Sequence, residues 1–198
     1  MESALKALIT GADGPLGKCI VRAFEDRGYE VIGTDLPTDL NRTDALASVV
    51  HETGHVDVVI NNAKVGNANH VHILGRLATK AIVNVASIYG AMGPDPRMYA
   101  ETEVTAPPSH YVAEKGAMIA LTRWQATMFA PVRANAVVLG GIFRGHSIEF
   151  ENRYSKRVPL GRMATEADAV SAIMFLASDA AAYITGQCLF VDGGLSAW

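Results

Sequence analysis

At 198 residues, 49% of them hydrophobic and only 19% charged, the chain can bury a full core as one domain, and no stretch of its composition asks for a second. A net charge of −3 excludes a basic nucleic-acid surface. No apolar run reaches the roughly 18 residues of a membrane span.

The two cysteines, Cys19 and Cys188, sit far apart in apolar contexts and lack any metal-ligand spacing. They read as small buried core residues of a protein in a reducing, cytoplasmic setting. The first element, Ala4 to Ile9, is a short apolar run of strand length that leads straight into Thr10-Gly11-Ala12-Asp13-Gly14-Pro15-Leu16-Gly17. A helix follows, with Ile20, Val21 and Phe24 at helical spacing until Gly28. Strand, glycine turn and helix in this order let the backbone approach a pyrophosphate closely, under the free N–H groups of a helix N-terminus.

The second strand, Glu30 to Gly33, ends at Thr34-Asp35. A carboxylate about 20 residues beyond the glycines can accept hydrogen bonds from an adenosine ribose, and it repels a 2′-phosphate, which favours NAD over NADP. Asp39-Leu40 follows after only three intervening residues, whereas a parallel crossover needs about a dozen. The next helix and much of the next strand are therefore expected to be missing or vestigial.

Val56 to Ile60 is a third, β-branched strand ending in Asn61-Asn62-Ala63, and Ala81 to Val85 is a fourth that leads to Ser87. Between them, Lys64 to Lys80 leaves room for one short helix, around Val71 to Ala78. His70 and His72 in that segment have no third partner at metal spacing and read as ordinary polar positions, so no metal is expected. From Ile88 to His110 prolines and glycines specify an irregular loop whose ends are Ser87 and Tyr111, which places it over whatever those two residues serve. Its Tyr, Arg, Asp and Glu side chains suit a polyhydroxylated or charged small molecule.

Tyr111 and Lys115 are four apart at the head of an apolar helix running to Phe129, so phenol and ammonium share one face. A neighbouring cation favours phenolate, and Tyr111 becomes a candidate proton donor and acceptor. Pro131 ends the helix before a strand from Val132 to Val138. Phe143 to Val158 is polar, mixed in sign and without clear periodicity. Thr165-Glu166-Ala167-Asp168 is a capping-box start for a helix over Ala169 to Ser178, and the last strand is Leu189 to Asp192. Trp198 forms an exposed aromatic tail suited to a subunit contact.

In this order, Thr10 to Gly17, Asn61-Asn62-Ala63, Ser87, Tyr111 with Lys115, Arg133 to Ile142 and Ile184 to Gly194 resemble the short-chain dehydrogenase/reductase family over nearly the whole chain. The resemblance implies a single NAD-binding domain over 1–198: an α/β fold with a Rossmann-like, doubly wound, mostly parallel sheet, a reduced edge strand and a shortened crossover helix. It implies NAD(H)-dependent interconversion of an alcohol and a carbonyl. Ser87 would hold the substrate oxygen, Tyr111 exchange its proton, and Lys115 bind the nicotinamide ribose. It further implies a cofactor site from Gly11, Asp13, Gly14, Leu16, Gly17, Asp35, Asp39, Leu40, Asn61, Ala63, Tyr111, Lys115 and Ile142. The implied assembly is a homo-oligomer, dimer or tetramer, with an altered helix interface. The loop after Ser87 is similar to that of reductases in bacterial nonulosonic-acid and surface-sugar pathways.

Departures mark this chain out within the resemblance. Pro15 replaces the middle glycine of the common short members, a spacing similar to that of the sugar-nucleotide epimerase and dehydratase branch. Lys64 replaces a glycine and Leu139 a proline. The long helix that carries an asparagine in most relatives has no room between Ala63 and Ala81, where Asn67 and Asn69 stand unplaced. Its loss would open an apolar face of the Tyr111 helix to solvent or a partner. It also supports an alternative reading, a catalytically weak, NAD-binding regulatory or scaffold protein.

Overall fold

The computed structural model describes residues 4–34, 49–63 and 68–198, so Asp35, Asp39, Leu40, Lys64 and Asn67 lie outside the described residues. Among the described residues six strands form one sheet: β1 (Lys6–Thr10), β2 (Glu30–Thr34), β3 (Val56–Asn61), β4 (Ala78–Ser87), β5 (Arg133–Leu139) and β6 (Cys188–Val191). Their order is β2-β1-β3-β4-β5-β6, and every pair is parallel. The described sheet is thus wholly parallel, with β2 at one edge. β1, β3, β4 and β5 are near-continuous apolar runs because helices cover both faces of the sheet.

Alternate strand residues point to opposite faces. Ala7, Ile9, Val58, Ile60, Val83 and Val137 meet α1 (Pro15–Glu25) and α5 (Glu166–Ala177) through Leu16, Ile20, Phe24, Ile173 and Leu176. Leu8, Val59 and Ile82 face the other way, with Leu74 of α2 (Ala68–Gly75) in the same cluster. That face also carries α3 (Ser109–Met128). Pro15 is tolerated because it stands in the first turn of α1, where a backbone N–H has no intrahelical partner. The α1 face that buries 16, 17, 20 and 24 excludes position 19, so Cys19 is exposed; Cys188, at the start of β6, is half-buried, and neither is the buried core residue expected from its surroundings in sequence.

The crossover helix is short, as its length required, but it starts and ends three residues earlier than expected. Arg76 and Leu77 close it with N–H bonds back to Ile73 and Leu74, and Ala78 already belongs to β4, paired with Val56. A register shift between Val56 and Val58 absorbs the extra β4 residue. His72 therefore sits on a helix, its ring 5.0 Å from that of Trp124 and 5.5 Å from that of Phe129. The far end of α3 remains open: Trp124 is 42% and Met128 62% exposed.

A buried polar chain ties these pieces together. Asn84 on β4 accepts from the Asn61 amide (2.8 Å) and donates to Thr122 Oγ and Gln125 Oε1 on α3 (both 2.8 Å). Gln125 in turn donates to the Val71 carbonyl of α2 (3.1 Å). These side chains are essentially inaccessible to water, so each lost partner leaves a desolvated polar group. Asn84→Ala should lower unfolding free energy by about 3 kcal/mol, read from the urea midpoint. Adding Gln125→Ala should cost less than the sum of the two single losses, because they share one network.

Candidate active site

The sheet reverses its strand order between β1 and β3, and a cleft of about 730 Å³ opens at the carboxyl ends of these strands and of β4. One wall is the glycine turn, with Gly11, Gly14, Leu16 and Gly17 lining it. A Cβ on Gly17 would lie 1.9 Å from the Gly11 carbonyl oxygen, so only glycine lets α1 begin this close under the turn. Among the described residues no side chain caps the α1 N-terminus, and no acid occupies its first turn, which leaves its positive end suited to an anion. Thr10 Oγ accepts from the N–H groups of Asn62 and Ala63 (both 3.0 Å), fixing the end of β3 against that of β1.

Ala63 lines the cleft, whereas Asn61, two residues earlier at the end of β3, turns into the core against Asn84. Asn62 lines the cleft instead, its amide donating to the Thr10 and Gly11 carbonyls (3.1 and 3.0 Å). Asp13 lies outside the main cleft, on an adjoining groove with Lys18, Arg22, Glu25 and Asp26 beside β2. Ile142 lines the cleft from the segment after β5, which is bridged to Ala164.

Ser87, Tyr111 and Lys115 all line the same cleft. Ser87 ends β4, and its Oγ accepts from the Tyr89 N–H (3.2 Å), leaving its own proton available to donate. α3 starts at Ser109, two residues ahead of the expected start, so Tyr111 and Lys115 occupy its first two turns. Lys115 is buried, donates to the Val85 carbonyl (3.0 Å), and carries its ammonium 5.8 Å from the centre of the Tyr111 ring. The chain after Ser87 is pressed onto α3, since a Cβ on Gly90 would lie 2.4 Å from the Lys115 carbonyl carbon and oxygen.

The loop between Ser87 and Tyr111 uses its charges differently from the expectation. Asp95, Arg97, Glu101 and Glu103 do not line the cleft; Tyr89, Tyr99, Val104, Thr105 and Pro107 do. The charged side chains fasten the loop to α4 (Ile148–Ser155), a helix that the mixed polar sequence of 143–158 did not announce. Glu103 accepts from Ser147, the N-cap of α4, at both its N–H and its hydroxyl. Arg153 donates to the Ala100 carbonyl and faces Glu101 at 3.6 Å, and Arg157 pairs with Asp95. Hydrogen bonds from Arg97 hold the Asp95 carboxyl well below the usual carboxylate range, and those from Ser147 lower Glu103.

α4 also reaches the floor of the cleft. Tyr154, buried, accepts at its hydroxyl from the Gly141 N–H beside Ile142, and burial pushes its phenol up to about 12. The Tyr89 and Tyr99 hydroxyls bond to each other. Burial is the leading cause that raises both phenols, so they remain protonated hydrogen-bond partners at neutral pH.

Residues 96–196 match the family model described as enoyl-(acyl carrier protein) reductase, and residues 7–73 match that of the NAD dependent epimerase/dehydratase family. The chain is 29% identical to an uncharacterized short-chain type dehydrogenase/reductase of Sinorhizobium fredii, over 94% of this chain and 43% of that longer protein. It is 28% identical to the cis-4-hydroxycyclohexanecarboxylate dehydrogenase of Sinomonas cyclohexanicum over 96% of both. That alignment runs over 250 positions although this chain has 198, so the relative carries segments that this chain lacks. Among solved structures it is similar to a short chain dehydrogenase from Leptospira borgpetersenii with bound NAD+, at a TM-score of 0.83 and 26% identity, covering 98% of this chain and 93% of that one.

The fastening of loop to α4 carries a pH signature. A carboxylate whose value is depressed on folding adds stability that is complete above its unfolded value, about 3.9 for Asp, and is lost as pH falls through its folded value. The melting temperature of wild type should exceed that of Asp95→Asn by a constant margin from pH 8 to about pH 5, and the margin should shrink below about pH 4.

Proposed function

Because the chain belongs to the short-chain dehydrogenase/reductase family, a family of hydride-transferring oxidoreductases, we propose that it interconverts a secondary alcohol and a carbonyl on a small, polyhydroxylated or charged molecule, using NAD(H). The observation that carries this reading is the convergence of Ser87 from β4 and of Tyr111 and Lys115 from α3 on the cleft that the glycine turn also lines. The setting is cytoplasmic, where Cys19 and Cys188 stay free thiols.

The residues present suit the dinucleotide. The uncapped N-terminus of α1 would take the pyrophosphate, Ala63 and Ile142 would flank the nicotinamide half, and Lys115 would hold its ribose. When bound, the nicotinamide supplies or accepts the hydride. Ser87 Oγ donates a hydrogen bond to the substrate oxygen, and Tyr111 Oη gives that oxygen its proton or removes it. The ammonium of Lys115 favours the phenolate that Tyr111 becomes after donation. The loop and α4, fastened together, wall the reacting centre with Tyr89, Tyr99 and Phe150.

NAD is favoured over NADP by charge. Asp13, Glu25 and Asp26 answer Lys18 and Arg22 in the groove beside β2, and Asp35 follows directly in sequence after the end of that strand. A 2′-phosphate would meet no excess of positive charge there. An alternative use of the same fold, a catalytically weak NAD-binding scaffold, gains support from the eight-residue α2, and the two readings separate by experiment.

Tyr111→Phe should bind NADH as wild type does, while turnover on a panel of keto-sugars and hydroxy acids falls by about 10²–10⁴-fold. Equal turnover in the variant would refute the role of Tyr111, and NADH binding without turnover in wild type would favour the scaffold. In fluorescence titrations NADH should bind at least about tenfold more tightly than NADPH.

A further inference from the structure

The charge of the cleft is one-sided. Among its described lining residues there is no aspartate or glutamate, whereas Lys115, Arg144 and His146 all line it. The acids of the loop after Ser87 are taken up outside it: Asp95 by Arg97 and Arg157, Glu101 by Arg153, and Glu103 by Ser147. Lys115 is committed to the Val85 carbonyl beside Tyr111. The phosphates of a dinucleotide have a seat of their own at the uncapped start of α1. Arg144 and His146 have no task in that arrangement.

Both stand on the strap from 143 to 147 that leads into α4. Its start is fixed by the Phe143 N–H donating to the Ala164 carbonyl (2.8 Å), and its end by the Glu103 contact to Ser147. His146 Nδ1 accepts from the Arg144 N–H (3.4 Å), which puts the ring proton of the neutral imidazole on Nε2 as a donor. The imidazole lies 6.0 Å from the Phe143 ring and 5.1 Å from that of Phe150, itself a wall of the cleft. Arg144 faces Glu166 at 3.7 Å, beyond hydrogen-bond range, with 39% of its side chain exposed. Such a long, solvated contact holds a guanidinium weakly, and a carboxylate arriving in the cleft offers two parallel N–H···O bonds in its place. Around the same space Tyr89, Tyr99 and Thr105 present hydroxyls, and Val104, Pro107, Phe150 and Met163 present apolar surface.

We propose that Arg144, supported by His146, is the anion-recognising element of the substrate site, and that the substrate is a hydroxy acid or keto acid held through its carboxylate. The tyrosine and threonine hydroxyls serve its oxygen-bearing carbons, and the apolar patch takes the carbon skeleton. This rests on the dehydrogenase reading above, so the test reads the cofactor first.

The thermal shift produced by NADH alone is measured on wild type, then the further shift from malonate and from neutral malonamide on the NADH complex. NADH giving no shift would remove the dehydrogenase reading, and this proposal with it, before any carboxylate is added. With NADH bound, malonate should stabilise the complex and malonamide should not. Arg144→Gln should weaken malonate by at least about tenfold and leave the NADH shift unchanged, and His146→Gln should weaken malonate by a smaller factor. Malonate and malonamide acting alike, or malonate unaffected by Arg144→Gln, would overturn the proposal. A loss of NADH affinity in Arg144→Gln with malonate binding retained would also overturn it, by assigning Arg144 to a cofactor phosphate.

Discussion

Everything at the cleft depends on how closely α3 is seated on β4. Gly90 lies against the backbone of Lys115 with no space for a methyl group, Lys115 reaches across to the Val85 carbonyl, and Asn84 holds Thr122 and Gln125 two turns further along. These three contacts lie along one side of the helix and leave no slack. The phenol of Tyr111 and the ammonium of Lys115 inherit their position from the strand that ends in Ser87. The cost of such seating is a line of polar groups removed from water, which is tolerated only because each finds a partner.

The same seating explains how the chain tolerates its short crossover. A long helix would normally cover this side of the sheet; here α2 has eight residues, and Gln125 reaches from α3 to its Val71 carbonyl. Gly75 allows the approach, since a Cβ there would lie 2.7 Å from the Gln125 amide nitrogen. Shortening therefore costs coverage at the far end of α3, where Trp124 and Met128 are exposed, and leaves the end that carries Tyr111 packed against the loop after Ser87. Loss of the helix and retention of the cleft are compatible because they concern opposite ends of α3.

Legibility in the sequence followed the range of the interactions. Tyr111 with Lys115, the glycine turn before α1 and the capping box at Thr165 are set by residues within six positions of one another, and local spacing exposes them. Asn61 and Asn62 differ by a single step of a strand, and a step of one exchanges core for cleft; which of them turned outward depended on Asn84 waiting across β4. α4 was invisible because only Phe150 and Tyr154 mark its buried face, and the acids of the loop were misjudged because their partners stand 44 to 62 residues away. The helix of the crossover was foreseen from length alone, but its bounds were decided by a register shift between β3 and β4 that no local pattern encodes.

The central claim is that a shortened member of the family keeps a working cofactor cleft, and NADH binding tests it most directly. Titration followed by nicotinamide fluorescence should show saturable binding to one site per chain. Gly17→Val, whose side chain would be driven into the Gly11 carbonyl, should abolish that binding while circular dichroism still reports a folded α/β protein. No binding by wild type, or undiminished binding by the folded variant, would contradict the account.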